Sequence, residues 1–411
     1  MDNRFDRQQR IPGWDQSPFA HGAVIVVGAG PAAEFCVWAL LSMGVGRLLW
    51  MGALDTALSP LGRWLAEGSF SGACTIVPLG SVEYEVELEC ILNMEPALRG
   101  ILILDGMPLS DRLYETLREQ SLVALVGGPH YVGPLDEDQG RELGGSCDTP
   151  AAAMAVAALV ADRLRAVINP LNGDGAPQSG PAGLEMQPSS GHPQRVVQIG
   201  CGGIGVYSAL LVATMGHPLW ILDDDTVDAT NLNRQGLFCP DDVASSRPKA
   251  VAAVERLRSW YPNSQLHAEV AYLDKSNAGL VERLRPTCII SAVDNARTRL
   301  LIQAIGQRSG IPVVQGGTDV FAADCFTQYP DGPTLDEQCY GAMTRAATAP
   351  HGLRPGGCAA DPSYVVPGMI CAAMIVHRLV QLSAGYRGLP PLRWRRGGLP
   401  IEQKGVNDDF S

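Results

Sequence analysis

Residues 196–235 read VVQIGCGGIGVYSALLVATMGHPLWILDDDTVDATNLNRQ. An apolar strand runs into a glycine-rich turn, then a helix, then a second apolar strand that ends in three aspartates, then Asn-Leu-Asn-Arg-Gln. A chain with this order has few folds open to it. The two strands must lie parallel, and the crossover helix must pack on their face. The turn then sits at the carboxyl edge of the sheet, with helix N–H groups aimed at whatever binds there. The glycines alone are a weak signal; the acidic cluster followed by NLNRQ is the specific part.

The same order occurs earlier. Ala23–Val27 is an apolar strand, followed by Gly28-Ala29-Gly30-Pro31-Ala32-Ala33, a helical pattern to Met43 and a strand at Arg47–Met51. Gly28 to Met51 has the spacing of Gly200 to Asp223. Further on, Ile101–Leu104 ends in Asp105, and Cys288–Val293 ends in Asp294. Each aspartate is equally far from a following Gly-Gly, at Gly127-Gly128 and Gly316-Gly317. Each half closes on a long apolar helix after a proline, Ala151–Val167 and Gly368–Ser383. Repetition of this kind predicts a tandem duplication. The expected fold is α/β, with two tandem Rossmann-like doubly wound domains. The first occupies residues 1–168 and the second 194–385. Residues 169–193, rich in Gly, Pro and Ser, read as a linker, and 386–411 as a C-terminal tail. The second half carries two insertions, Thr226–Lys249 and Ala322–Val366; long irregular insertions in a compact fold are commonly functional.

Composition narrows the partners. The 411 residues are 46% hydrophobic and 18% charged, enough to bury a sizeable core, and the net charge of -12 disfavours nucleic acid and anionic membranes. The 11 cysteines are odd in number and scattered, with no CxxC pair, which suits a reducing, cytoplasmic setting and not a four-cysteine zinc. The N-terminus MDNRFDRQQR has no apolar core of a signal peptide. The run Ala151–Ala161 is too short to span a bilayer.

Chemistry concentrates in the second half. Gly200, Gly202, Gly203 and Gly205 allow a tight turn and close approach of phosphate to backbone. Asp223, at the tip of the second strand, stands where an acid can bind a ribose hydroxyl. These residues alone fit an NAD enzyme equally well. Arg234 past the acidic strand end, Lys249 after a loop and Asp294 at a later strand tip fit a triphosphate with Mg²⁺ better, because two cations and a carboxylate converge on one sheet edge.

The run ILDDDTVDATNLNRQ, with the glycine turn before it and RPKA and AVDNARTR after it, resembles the adenylating domain of the ubiquitin-activating family, the ThiF/MoeB/HesA type, over nearly all of residues 195–384. The lead-in RFDRQQRIPGWDQ is similar to the start of such proteins. The resemblance implies ATP on Gly200, Gly202, Gly203 and Gly205, ribose on Asp223 beside Asp225, phosphates facing Asn231, Arg234, Gln235 and Lys249, and Mg²⁺ on Asp294. The implied activity is adenylation of the C-terminus of a ubiquitin-like or sulfur-carrier protein, with release of pyrophosphate. It also implies a pseudo-dimer of an inactive and an active domain within one chain, with Arg7 of the lead-in acting as an arginine finger on the active site. The first half fits an inactive copy: it has Ala33 for the third glycine, Pro31 after the second, Met51 for the ribose acid, no NLNRQ, and Gly106 after Asp105.

Two cysteines are candidates for a thioester with the activated carrier. Cys358, in GGCAADPSYVVPGM, resembles the family's Cys-Ala-rich segment before the last helix, with His351 and Arg354 nearby to favour a thiolate. Cys339 resembles the crossover-loop position. A conjugating enzyme is a further expected partner. Three other readings stay open: adenylation of a ribosomal peptide C-terminus without a thioester, an NAD(P)-dependent oxidoreductase, and a non-catalytic scaffold.

Overall fold

A computed structural model describes residues 3–52, 59, 62, 64, 73–77, 84–94, 97–107, 110–119, 123–128, 131–135, 147–174, 194–339, 341–348 and 361–402. The chain forms two compact units. The first comprises residues 1–187 with 364–366 and 396–399, and the second comprises 188–363, 367–395 and 400–411.

In the first unit, β1 (Ala23–Val27), β2 (Arg47–Met51), β3 (Ala73–Val77), β4 (Leu98–Leu104), β5 (Val123–Gly127) and β6 (Val132–Pro134) form one sheet in the order β3-β2-β1-β4-β5-β6. All neighbours are parallel except β5–β6. The sequence of β1, AVIVV, is buried along its whole length, as a strand covered on both faces must be. Helices α1 (Pro31–Met43), α2 (Tyr84–Met94), α3 (Asp111–Glu119) and α4 (Pro150–Ile168) accompany the sheet. Val27, Ile103, Leu113 and Leu117 belong to one core cluster. Residues distant in sequence join this unit through polar contacts. The Tyr364 hydroxyl donates to Asp162 at 2.8 Å, and Arg396 reaches Asp174 at 3.3 Å. Asp162 and Asp174 both pair with the fully buried Arg165, so that guanidinium is compensated on two sides.

In the second unit, β7 (Val196–Ile199), β8 (Leu219–Leu222), β9 (Leu266–Glu269), β10 (Cys288–Ser291), β11 (Val313–Asp319), β12 (Ala322–Gln328), β13 (Leu392–Arg395) and β14 (Ile401–Glu402) form a sheet in the order β14-β13-β12-β11-β10-β7-β8-β9. Taken from its β9 edge, this sheet has the strand order of the first through β12, and β11–β12 is the antiparallel pair corresponding to β5–β6. Strands β13 and β14 add two further antiparallel neighbours from the segment expected to be a tail. Helices α5 (Gly205–Thr214), α6 (Lys249–Trp260), α7 (Ala296–Ser309) and α8 (Val365–Ser383) complete the unit, apart from the first two residues of α8, which fall in the other. By length and hydropathy α8 could cross a membrane, but it is 94% buried within the protein. Both sheets reverse their strand order beside the first strand, and in open α/β sheets that point opens the ligand crevice.

Candidate active site

The site of the second unit starts from its glycine turn. Gly200 has φ +98, and a Cβ there would stand 2.5 Å from the Ala292 carbonyl oxygen, so only glycine lets β7 leave the sheet this way. Gly205 opens α5 with its Cα packed on the Gly200 carbonyl, where a Cβ would stand 2.2 Å away. Among the described residues, the space inside the turn is open. A Cβ on Gly202 would meet nothing nearer than the Gln235 amide at 4.0 Å, and one on Gly203 nothing nearer than Arg234 at 3.9 Å. The turn is therefore a hollow, flanked by Arg234 and Gln235, at the positive end of α5.

The acidic strand end closes one side. Asp223 accepts from the Cys201 N–H at 2.6 Å and from the Asp225 N–H at 2.9 Å. Burial raises its carboxyl above the ordinary value, opposed by the Lys249 charge and these two N–H donors. Lys249, buried at the start of α6, donates from Nζ to Asp225 at 2.8 Å, and its own N–H bonds the Asp225 carbonyl. Strand tip and α6 are thereby tied at the same point. Asp223, Asp224 and Asp225 bring carboxylate oxygens within 4.8 Å of one another.

Asn231 serves the loop's shape. Its Oδ1 accepts from the Asp228 N–H at 3.0 Å, half of a reciprocal cap on the short turn Ala229–Asn231. That turn delivers Arg234 and Gln235 to the glycines. Asn233 Nδ2 donates to the Ser363 carbonyl at 3.2 Å, and its Oδ1 accepts from Arg234 at 3.1 Å, which fixes the guanidinium.

Asp294 lies just past the tip of β10 and is exposed. The next residue, Asn295, caps α7 by accepting from the Thr298 N–H at 2.8 Å. Asp294 borders a cavity of about 470 Å³ whose walls also include Arg299, Gln315, Asp324, Cys339 and Met343. Arg299, near the start of α7, donates to the carbonyls of Val293 at 2.9 Å and Gly316 at 3.4 Å, pinning the Asp294 loop to β11. Arg299 was not among the residues the sequence singled out, although it lies within the AVDNARTR run. Mg²⁺ takes oxygen ligands and is commonly held by one or two carboxylates together with phosphate. The exposed Asp294 carboxylate fits that role.

The two candidate thiols are placed differently. Cys339 lines the Asp294 cavity, and burial pushes its thiol up despite the neighbouring Arg299 charge. Cys358, with His351 and Arg354, lies outside the described residues. Cys201, in the turn itself, is wholly buried and its thiol is held well above the ordinary value by burial. Arg7 belongs to the first unit, buried on the short helix Asp6–Gln9.

Residues 190–394 match the profile of the ThiF family. Over 209 residues the chain is 31% identical to the sulfur carrier protein adenylyltransferase of Thermus thermophilus, an alignment spanning 49% of this chain and 73% of the relative. The chain belongs to the ThiF family. It is also 34% identical over 177 residues to the SAMP-activating enzyme E1 of Haloferax volcanii, covering 43% of this chain and 62% of that protein. With the sulfur carrier protein ThiS adenylyltransferase of Bacillus subtilis it shares 38% over 124 residues, 30% of this chain and 36% of that protein. For these last two the chain spans less than two thirds of the relative's length. The family match lies in the second unit and its glycine turn.

Proposed function

We propose that the chain adenylates the C-terminal carboxylate of a ubiquitin-like or sulfur-carrier protein with ATP. The observation that carries this reading is the open glycine turn of the second unit, flanked by Arg234 and Gln235 and closed on one side by the Lys249–Asp225 pair. The carrier carboxylate attacks the α-phosphorus, the acyl–phosphate bond forms, the bond to the β-phosphate oxygen breaks, and pyrophosphate leaves. Negative charge spreads over the phosphates as this happens. In this reading Arg234 and Lys249 neutralise it, and N–H groups at the start of α5 add a fixed positive potential. Asp223 takes the ribose. Asp294 would hold Mg²⁺, which when bound neutralises phosphate charge. The names of the relatives, an E1 and two sulfur-carrier adenylyltransferases, favour this substrate class over a dinucleotide.

The same proposal includes an intrachain pseudo-dimer in which Arg7 completes the ATP site, an idea supported by the lead-in motif. Arg7→Ala then abolishes adenylation while the far-ultraviolet circular dichroism stays native; full activity in that variant removes Arg7 from the mechanism. A thioester step on Cys358 or Cys339 comes after adenylation in this reading. Cys339 has in its favour that it shares a cavity with Asp294.

The test is ATP–pyrophosphate exchange in the presence of candidate carriers, followed by a non-reducing gel. Exchange that depends on a carrier supports the adenylation. Tight NADH binding without ATP binding would overturn it in favour of an oxidoreductase. A thiol-sensitive adduct lost in Cys358→Ala assigns that sulfur, and one lost only in Cys339→Ala assigns the other. Exchange without any adduct leaves adenylation alone, as expected for a peptide C-terminus.

A further inference from the structure

The glycine turn of the first unit is filled. Its Gly30, Ala32 and Ala33 N–H groups all donate to one carboxylate, that of Asp105, at 2.8, 3.2 and 3.0 Å. A Cβ on Gly30 would collide with that carboxylate at 2.6 Å, and one on Gly28 would stand 3.1 Å from it. Among the described residues, no carboxylate stands within 3.9 Å of a Cβ placed on the equivalent Gly202 or Gly203 of the second unit. We infer that Asp105 occupies, in the first unit, the place a ligand phosphate takes at a glycine turn, so that the chain's own carboxylate closes this turn to nucleotide.

The local cause is the turn that follows β4. Asp105 and Gly106 have φ +57 and +68, and the Met107 N–H bonds the Leu104 carbonyl at 3.3 Å. This is a tight turn with both central residues left-handed, the kind that Asp-Gly favours. It folds the Asp105 side chain back over the tip of β1. In the second unit the strand registers put Val293 at this place, since Val27 pairs with Ile103 and Ile199 with Ser291, and the Asp294-Asn295 pair comes one residue later. Asn295 is extended, with φ -95 and ψ 136, and caps α7, so the chain continues outward and Asp294 stays exposed on its cavity. The place beside the first glycine of the turn therefore holds a carboxylate in the first unit and an apolar side chain in the second, where a Cβ on Gly200 would stand 3.3 Å from Val293 Cγ1.

Chemically the substitution is matched. Three N–H donors and the positive end of α1 suit a carboxylate as they suit a phosphate oxygen. The N-cap residue Gly30 has no side chain to satisfy these N–H groups, so Asp105 also does the work of a helix cap from a different strand. Removing it leaves either a destabilised helix start or an opening for an external anion.

Hydrogen–deuterium exchange of the full chain tests this, with ATP and with inorganic pyrophosphate as probes. In the wild type, exchange at residues 28–35 stays unchanged with either probe. Slowed exchange there on adding pyrophosphate overturns the inference. Asp105→Gly keeps a turn that both central residues can adopt and removes only the carboxylate. In that variant millimolar pyrophosphate slows exchange at 28–35, by about tenfold at ten times Kd. A natively folded Asp105→Gly protein that shows no such slowing also overturns it. If the variant does not fold, the wild-type measurement still decides. Residues 200–207 report separately: their failure to respond to ATP would count against adenylation, and would leave the Asp105 result standing.

Discussion

At the scale of single residues, Lys249 carries the most testable weight. Its ammonium is buried, paired with the exposed Asp225 and close enough to Asp223 to oppose the rise of that carboxyl. A cation in this position gains most of its effect when phosphate charge develops in a partly desolvated site. Lys249→Ala should lower ATP–pyrophosphate exchange by about a hundredfold to a thousandfold, with Asp223 less shielded and ATP binding weakened as well. Wild-type exchange in the variant would show that the Lys249–Asp225 pair is only a structural tie. Cys339 makes the opposite case. Burial raises its thiol, so the nucleotide-free protein holds it protonated at neutral pH. Its alkylation by iodoacetamide, followed by mass spectrometry of its peptide, should be slow at pH 7 and still climbing at pH values where an exposed cysteine has levelled off. Fast alkylation at pH 7 would contradict the burial argument.

At the scale of elements, the two β–turn–α units are alike in their strands and differ at the strand ends. β1 and β7 are both buried, and β4 and β10 hold the same place in their sheets. The difference lies past the strand tips, where Asp105 holds the register place that Val293 holds in the second unit and Asp294 comes one residue later. Asn295 accepts from the Thr298 N–H, and an N-cap of this type contributes about 1 kcal/mol. Asn295→Ala should cost the second unit that amount in urea denaturation. It should also lower exchange activity more than stability, because Asp294 loses the extended backbone that directs it outward. Equal small losses in both would mean that Arg299, through the Val293 carbonyl, places Asp294 by itself.

At the scale of the whole molecule, α8 and β13–β14 close the second unit, and α8 carries a pH-sensitive group. His377 is 6% exposed, and burial together with the adjacent Arg378 charge lowers its folded pKa to about 4. The unfolded chain, with an ordinary histidine near 6.5, binds more protons between these two values. Stability is therefore full above pH 6.5 and falls as the pH drops from about 6.5 to about 4, by at most about 3 kcal/mol. The urea midpoint should fall between pH 7 and pH 5 in the wild type and fall less in His377→Gln. An equal fall in both would place the acid sensitivity elsewhere.

The sequence alone carried the α/β class, the repeated strand–turn–helix order and the residues expected at the second glycine turn, because periodicity, glycine spacing and the NLNRQ run are local signals. It also carried the differences of the first half, where Met51 stands at the place of Asp223 and Ala33 at the place of Gly205. How side chains are spent once folded was not legible there. That Asn231 shapes a turn, that Arg299 pins the Asp294 loop, that Cys339 and Asp294 share one cavity, and that the last strands come from the segment after Tyr386 all depend on contacts made only in the folded chain. The facing of Asp105 lies between the two. Its Asp-Gly turn is written in the sequence, but only packing of β4 beside β1 brings its carboxylate onto the Gly30, Ala32 and Ala33 N–H groups 72 or more residues away. A carboxylate finds those donors, and not water, because the parallel sheet holds both strand tips at the same edge.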